Sequence, residues 1–193
     1  MSVPPIKSVN LILAENRFME TEHLLLRPID LIDVDAMYEY ASDEEVSQFV
    51  FPTHQSLEET ANTIANFFIA DSLGKYAIVL KEKQKMIGTI DLQRLDEKNR
   101  KAEIGYTLAK DYWGQGLAPE AARQILWLAF DQLKLNVVSA LHDVDNPKSG
   151  RVMEKIGMKP IGIFPNYLIH KEKNVDMKIY CLTREDYLAQ QTK

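Results

Sequence analysis

The sequence predicts an α/β chain in which helices cover a mixed β-sheet. Two stretches carry that expectation. Ala102-Glu103-Ile104-Gly105-Tyr106-Thr107-Leu108 alternates as a strand, with Ala102, Ile104, Tyr106 and Leu108 on one face and Glu103, Gly105 and Thr107 on the other. Trp113-Gly114-Gln115-Gly116-Leu117-Ala118-Pro119-Glu120-Ala121 follows closely as a glycine-containing loop that runs into a helix. Strand-like and helix-like segments continue on both sides of this pair.

Taken in order, residues 1 to 20 read as an irregular extension in which Val9 to Leu13 forms a short strand. Leu24 to Ile29 is the first strand proper. Asp33 to Tyr40 and Ser56 to Ser72 are helices, the second opened by Ser56 and Glu59 at capping-box spacing. Phe49-Val50-Phe51-Pro52-Thr53-His54 is an apolar loop between them. Three strands follow, Lys75 to Lys81, Met86 to Leu95 and Lys101 to Leu108, the first two joined as a hairpin by Glu82-Lys83-Gln84-Lys85. The helix Pro119 to Leu133 buries a stripe of Ala122, Ile125, Leu126, Ala129 and Leu133. Val137 to His142 is a strand, and Pro147 to Ile156 a helix ended by Gly157 at C′. Strands near Met158 to Phe164 and Val175 to Leu182 flank a loop, Pro165 to Asn174.

The 193 residues suffice for one domain with a substantial core. A hydrophobic share of 46% with 26% charged residues places the chain among ordinary globular proteins, and its apolar runs are too short to span a bilayer. No apolar stretch follows a basic N-terminus, so no secretory signal is expected. One cysteine, Cys181, forms no internal disulfide and fits a reducing cytoplasm, packed in a strand. A net charge of -5 argues against nonspecific nucleic-acid binding and mildly favours a cationic substrate.

The glycine loop has a chemical reading of its own. Pro119 suits a first helical position, and Ala118 before it has no side-chain oxygen to cap the first N–H groups. Those donors stay free at the positive end of the helix dipole, where a phosphate is the natural ligand. Gly114 and Gly116 let backbone N–H groups turn toward an anion. There is no Lys before a Ser or Thr, as in a Walker loop, and no G-x-G-x-x-G spacing. A plain tight βα turn is the alternative reading of the same residues.

The loop resembles the pyrophosphate-binding motif of the GCN5-related N-acetyltransferases, Q/R-x-x-G-x-G/A, read here as Trp113-x-x-Gly116-x-Ala118. Its leading Trp departs from the general pattern and resembles the W-G-x-G-x-A-x-E-A of ribosomal-protein N-terminal acetyltransferases. Asn146-Pro147-Lys148-Ser149-Gly150-Arg151-Val152-Met153-Glu154-Lys155-Ile156-Gly157-Met158 is similar to the family's next strand-to-helix block, and Leu24-Leu25-Leu26-Arg27-Pro28 is a third match. The three blocks cover roughly residues 22 to 183. The resemblance implies a mostly antiparallel sheet of about seven strands, splayed at an acyl-CoA site, with residues 1–20 an extension and 21–193 a single acetyltransferase domain. It implies acetyl-CoA as co-substrate, an amine acceptor, and no metal, nucleic acid or membrane; a homodimer is left open.

The resemblance also suggests roles. Glu103 stands where related N-terminal acetyltransferases place the group that takes the amine's proton; a salt-bridged Glu on a sheet face is the alternative. The leaving-group acid is commonly a Tyr seven residues after the Asn, and Met153 stands there, so Ser149 is the substitute candidate, with a helix-start hydrogen bond as its other use. Thr107 and Leu108 would offer backbone to pantetheine, and Trp113, Gly114, Gln115, Gly116, Leu117 and Ala118 would form the pyrophosphate loop. Asn146 would hold the pantetheine or orient the acyl group, or only make a turn before Pro147. Arg151 would reach the adenosine phosphates. Phe49, Phe51 and His54 are candidates for one acceptor wall and Tyr167, with His170, for another; Asp176 and Tyr180 fall in the last strand without a role.

The reading is an acetyl-CoA-dependent N-acetyltransferase acting on a protein or peptide N-terminal α-amine. Its rivals are acetylation of a small amine (antibiotic, polyamine or amino acid) and a non-catalytic acyl-CoA sensor.

Overall fold

The computed structural model of the chain describes residues 7–192. Its centre is an eight-stranded sheet in the order β1-β2-β3-β4-β5-β6-β8-β7. The strands are β1 (Met19–Glu20), β2 (Leu24–Arg27), β3 (Lys75–Leu80), β4 (Lys85–Asp96), β5 (Lys101–Leu108), β6 (Val137–Asp143), β7 (Lys159–His170) and β8 (Lys173–Thr183). Every neighbouring pair is antiparallel except β5 and β6. The expected mixed, mostly antiparallel sheet is present, with one strand more than the seven anticipated.

The alternation read in the β5 sequence decides which side each residue takes. Ala102, Ile104 and Leu108 are buried in the larger core, together with Ala121, Ala122, Ile125, Leu126 and Ala129 from α5 (Leu117–Trp127) and its π-helical continuation Leu128–Gln132. Met153 and Ile156 of α6 (Pro147–Lys155) and its end complete that side. The other side of the sheet carries a smaller core, in which Ala77, Val79 and Met86 meet Met37, Tyr40 and Ala41 of α2 (Val34–Ala41). Val46 of α3 (Glu44–Ser47) and Ile64 and Phe68, after α4 (Leu57–Thr63), join it. The sheet is thus covered on both faces, unevenly, and the uneven cover leaves the site described below open.

Several elements differ from the sequence expectation. Val9–Glu15 is a helix, α1, not a strand: Ser8 accepts from the Leu11 N–H as N-cap, and Leu13 alone of its residues is buried. The run Asn10-Leu11-Ile12-Leu13 is too short for its period to be read. Residues 1–6 of the expected extension lie outside the described residues, and Met19 and Glu20 of that extension already pair with β2. The N-cap of α5 is Gly116 and its first residue Leu117, so Pro119 occupies the third helical position rather than the first. Pro165 to Asn174 is not a loop. β7 and β8 run on as a long hairpin that turns at Lys171 and Glu172, both at positive φ. Pro165 and Asn166 fall in a bulge between the pairs Phe164↔Met177 and Leu168↔Val175, with the Asn166 N–H on Asp176 Oδ1 at 2.8 Å. The helix expected from Ser56 to Ser72 is α4 followed by a π-helical turn, Ile64–Ile69. Ser56 caps it as expected through the Glu59 N–H, but the Glu59 carboxylate reaches the Gln55 N–H, one residue before the usual reciprocal partner.

Candidate active site

The sheet opens between β5 and β6. These two strands pair in parallel at only three positions: Lys101↔Val137, Ala102↔Val138 and Glu103↔Ser139. Beyond Glu103, β5 stays with β4 as far as Leu108↔Gly88, while β6 stays with β8 as far as Asp143↔Met177. The two halves of the sheet therefore part, and a cleft of about 680 Å³ lies at the open end, within the range of small-molecule sites.

Most of the residues picked from the sequence for a cofactor meet at this cleft. Thr107, Leu108, Trp113, Gly114, Gly116, Leu117, Ala118, Asn146, Ser149 and Arg151 all line it, as does Phe49. Gln115 does not: its side-chain amide turns back to the Asp111 carbonyl at 2.7 Å, which leaves only its backbone on the loop. The loop is built as an anion cradle. Gly114 and Gly116 have φ of +75° and +84°, and a Cβ added to either meets nothing within 4 Å, so both face open space. Gly116 caps α5 with no side-chain bond, and Pro119 brings no N–H of its own. Among the described residues no protein acceptor takes the N–H groups of Gly116, Leu117 or Ala118. Free donors at a helix start fit a phosphate.

Trp113 fixes this loop to the strand. Its indole N–H donates to the Leu108 carbonyl at 2.7 Å, and the Lys148 ammonium lies 4.2 Å from its ring centroid. Glu120, at the E of the loop motif, accepts from the Thr21 hydroxyl at 2.5 Å and the His23 N–H at 2.8 Å, tying the start of α5 to the β1–β2 turn. Its role is architectural. On the other wall, Asn146 caps α6 by accepting from the Ser149 N–H at 3.3 Å, so its amide nitrogen is the part left for a ligand. The Ser149 carbonyl accepts from the Tyr106 hydroxyl at 2.9 Å, which bridges β5 to α6 at the wall of the cleft. Burial holds the Tyr106 phenol far above its usual pKa. Met153, at the position of the family's usual Tyr, is buried in the core and turned away from any reacting group.

The basic rim was partly missed from the sequence. Lys148 and Lys155 line the cleft beside Arg151. Lys148 stood inside the quoted block and carries the signal; Lys155 does too. Glu45 joins Lys148 at 3.2 Å and Lys110 at 2.5 Å, and the two lysines hold its carboxyl below its ordinary pKa. No sequence signal points to Glu45, because α3, at four residues, is too short for its period to be read.

Glu103 lies apart from the cleft lining, at the last paired position before the strands diverge. Its side chain is 16% exposed, and Arg94 lies 3.3 Å from it. Burial raises its pKa above the ordinary carboxylate value, with Arg94 opposing. Arg94 also donates to the Tyr167 hydroxyl at 3.2 Å, so Tyr167 of β7 reaches Glu103 through Arg94. The other acceptor candidates are dispersed. His54 is buried against Thr60 at 2.8 Å and the Phe51 ring at 5.6 Å, and burial lowers its pKa. Phe51 packs on the smaller core. Neither lines the cleft, because the chain after α3 turns both inward. His170 contacts the Gln48 carbonyl at 2.8 Å, and Tyr180 donates to Glu154 at 3.0 Å beneath α6.

A split sheet with a donor-lined loop and a basic rim at its mouth suits an acyltransferase that draws its acyl group from a phosphate-bearing carrier. The profile described as an acetyltransferase (GNAT) domain matches residues 23–159, and the chain belongs to that family of N-acetyltransferases, which use acetyl-CoA. It is 28% identical over 171 residues to the uncharacterised N-acetyltransferase p20 of Bacillus licheniformis, covering 86% of this chain and 96% of that one. An acetyltransferase (GNAT family) of Bacillus anthracis superposes with a TM-score of 0.79 at 28% identity, over 87% of this chain and 99% of that one. The chain is also 31% identical over 107 residues to the ribosomal-protein-serine acetyltransferase of Escherichia coli, covering 53% of this chain and 58% of that one. The spermidine N-acetyltransferase of Vibrio cholerae, solved with CoA and spermine, shares the fold with a TM-score of 0.73 at 20% identity, over 87% and 99% of the two chains. No helix among the described residues is long and apolar enough to cross a membrane.

Proposed function

We propose that this acetyltransferase acetylates the α-amino group of a protein or peptide, with acetyl-CoA in the β5–β6 cleft and Glu103 as the base. The observation that carries the reading is the position of Glu103 at the last β5–β6 pair before the strands part, largely buried on the sheet face that carries Thr107. It stands five residues before the end of β5, about 17 Å at strand rise. Phosphates on the Gly114–Ala118 loop and chemistry at Glu103 thus need an extended connection between them, which is the shape of pantetheine. Thr107 and Leu108 supply the backbone along the way, the Asn146 amide nitrogen faces it, and Lys148, Arg151 and Lys155 receive the phosphates. The bound thioester supplies an activated acyl carbon and a stable leaving group.

The acceptor follows from proton chemistry. An α-amine has a pKa of about 7.7–8.0 and a lysine amine about 10.4, so at neutral pH the α-amine is neutral far more often. One carboxylate, raised by burial, suits the easier proton. The likeness to the ribosomal-protein-serine acetyltransferase supports a protein N-terminus as acceptor.

The test offers peptides with a free N-terminus, the same peptides N-blocked but carrying lysine, spermidine and an aminoglycoside, and follows acetylation by mass. Acetylation of free N-termini is expected; acetylation confined to lysine, spermidine or the aminoglycoside would refute the α-amine. The Glu103→Gln variant is expected to lose the acidic limb of the pH–rate profile, where protonation of the carboxylate shuts off the wild type, and an unchanged profile would refute Glu103 as base.

A further inference from the structure

Asp91 lies in the middle of β4, on the sheet face that carries Glu103. Register sets Asp91 opposite Gly105 and Gln93 opposite Glu103, so the two carboxylates are diagonal neighbours across β4 and β5. Asp91 Oδ1 is buried with no hydrogen-bond partner among the described residues. It occupies room that only glycine leaves, since a Cβ on Gly105 would lie 2.7 Å from it. The cation across from it on β3, Lys75, makes its hydrogen bonds elsewhere and reaches Asp91 by charge alone: its ammonium donates to the Phe67 carbonyl at 2.8 Å and to Asp71 at 3.2 Å, and lies 4.2 Å from the centroid of the Phe67 ring. Arg94 is held by Glu103 and Tyr167. The groups facing Asp91 are thus Lys75 from β3, Gln93 from β4, and Gly105 and Glu103 from β5; the Lys75 charge and the Gly105 backbone N–H favour its ionised form, but none of them bonds Oδ1. Burial raises its pKa to about 6 against the Lys75 charge and the Gly105 backbone N–H, with the Glu103 charge adding a smaller push upward. A buried carboxylate without a partner costs stability, and it is kept where something else completes it.

We propose that Asp91 is a second acceptor-site carboxylate, which holds the incoming amine as its ammonium ion beside Glu103. This rests on Glu103 being the base. One ammonium N–H donates to Asp91, and Glu103 takes another of its protons, directly or through a water. The freed nitrogen lone pair forms the N–C bond to the thioester carbonyl carbon. The C–S bond breaks with its electron pair on sulfur, and the thiolate takes up one proton while the nitrogen gives up its surplus one. Ammonium and thioester become amide and thiol, with one proton released to solvent.

The experiment is steady-state kinetics of Asp91→Asn at saturating acetyl-CoA, with the amine that the wild type turns over fastest in the panel above. The expected result is an amine KM raised about tenfold or more, with the defect on KM rather than kcat and an unchanged acetyl-CoA Kd. Glu103→Gln, run in parallel, is expected to lose kcat instead. Gly105→Ala, whose methyl displaces Oδ1, is expected to reproduce the KM defect. A merely structural Asp91 would lower Tm when changed to Asn, whereas here Tm is expected to hold or rise. An amine KM within about twofold of wild type overturns the proposal, and so does an Asp91→Asn variant that melts earlier or loses acetyl-CoA. A preference for lysine or spermidine would overturn the α-amine reading alone, because the KM comparison is then made with that amine.

Discussion

Glu103 and Asp91 share one sheet face, and burial raises both; Arg94 is paired with Glu103, whereas Lys75, across from Asp91, acts on it by charge without a hydrogen bond to Oδ1. For Asp91 the consequence for stability has a definite sign. A carboxyl with an ordinary value of 3.8 and a folded value of about 6 binds a proton in the folded state, between those values, that the unfolded state has already released. Stability therefore falls as pH rises through that window, by about 3 kcal/mol at 1.36 kcal/mol per unit. Chemical denaturation between pH 4 and 7 should show Asp91→Asn gaining on the wild type as pH rises; parallel curves would contradict it. Ser149 invites a different test. Ser149 lines the cleft, and a thiolate is a tolerable leaving group, with a pKa of about 8.5 for a comparable thiol. Ser149→Ala should lower kcat only modestly in a thiol-release assay, and a loss beyond about a thousandfold would make Ser149 the essential acid. The candidates Glu103 and Ser149 were legible because they sit in patterned segments. Asp91 was not, because a single polar residue in a strand carries no sign of what lies across the sheet.

At the scale of elements, the sequence spoke clearly where a local rule decides structure. The end of α6 is such a place. The Gly157 N–H donates to the Glu154 carbonyl and the Met158 N–H to the Met153 carbonyl, both at 3.0 Å, which is the Schellman pair, with Met153 and Met158 both buried as its hydrophobic contact. This gives Met153 a structural use in place of an acid's. Gly157 has φ of +83°, and a Cβ there would lie 2.3 Å from the Gln190 side chain. The side chain can move but the backbone cannot, so Gly157→Ala should cost about 1–2 kcal/mol. In a chain of this size that lowers Tm by roughly 2–8 °C, and an unchanged melting curve would contradict the assignment. Elements set by distant contacts were harder to read. The hairpin turn at Lys171 and Glu172 has positive φ without the Asn-Gly that usually marks it, and β1 exists only because β2 is beside it.

Across the whole molecule, function depends on local charge rather than net charge. The chain carries -5 overall, yet Lys148, Arg151 and Lys155 stand at one cleft, partly offset by Glu45. The loop, the parting of β5 from β6 and this basic rim come from segments up to fifty residues apart, and only the loop could be seen as a unit in the sequence. The central claim is that the loop receives the phosphates of acetyl-CoA. Calorimetric titration of acetyl-CoA into Gly116→Val tests it most directly, because a side chain there points into open cleft and the backbone φ of +84° resists it. The expected result is a Kd raised at least about tenfold, or about 1.4 kcal/mol, with circular dichroism unchanged. An unaltered Kd in the folded variant would contradict the placing of the phosphates, and with it the site.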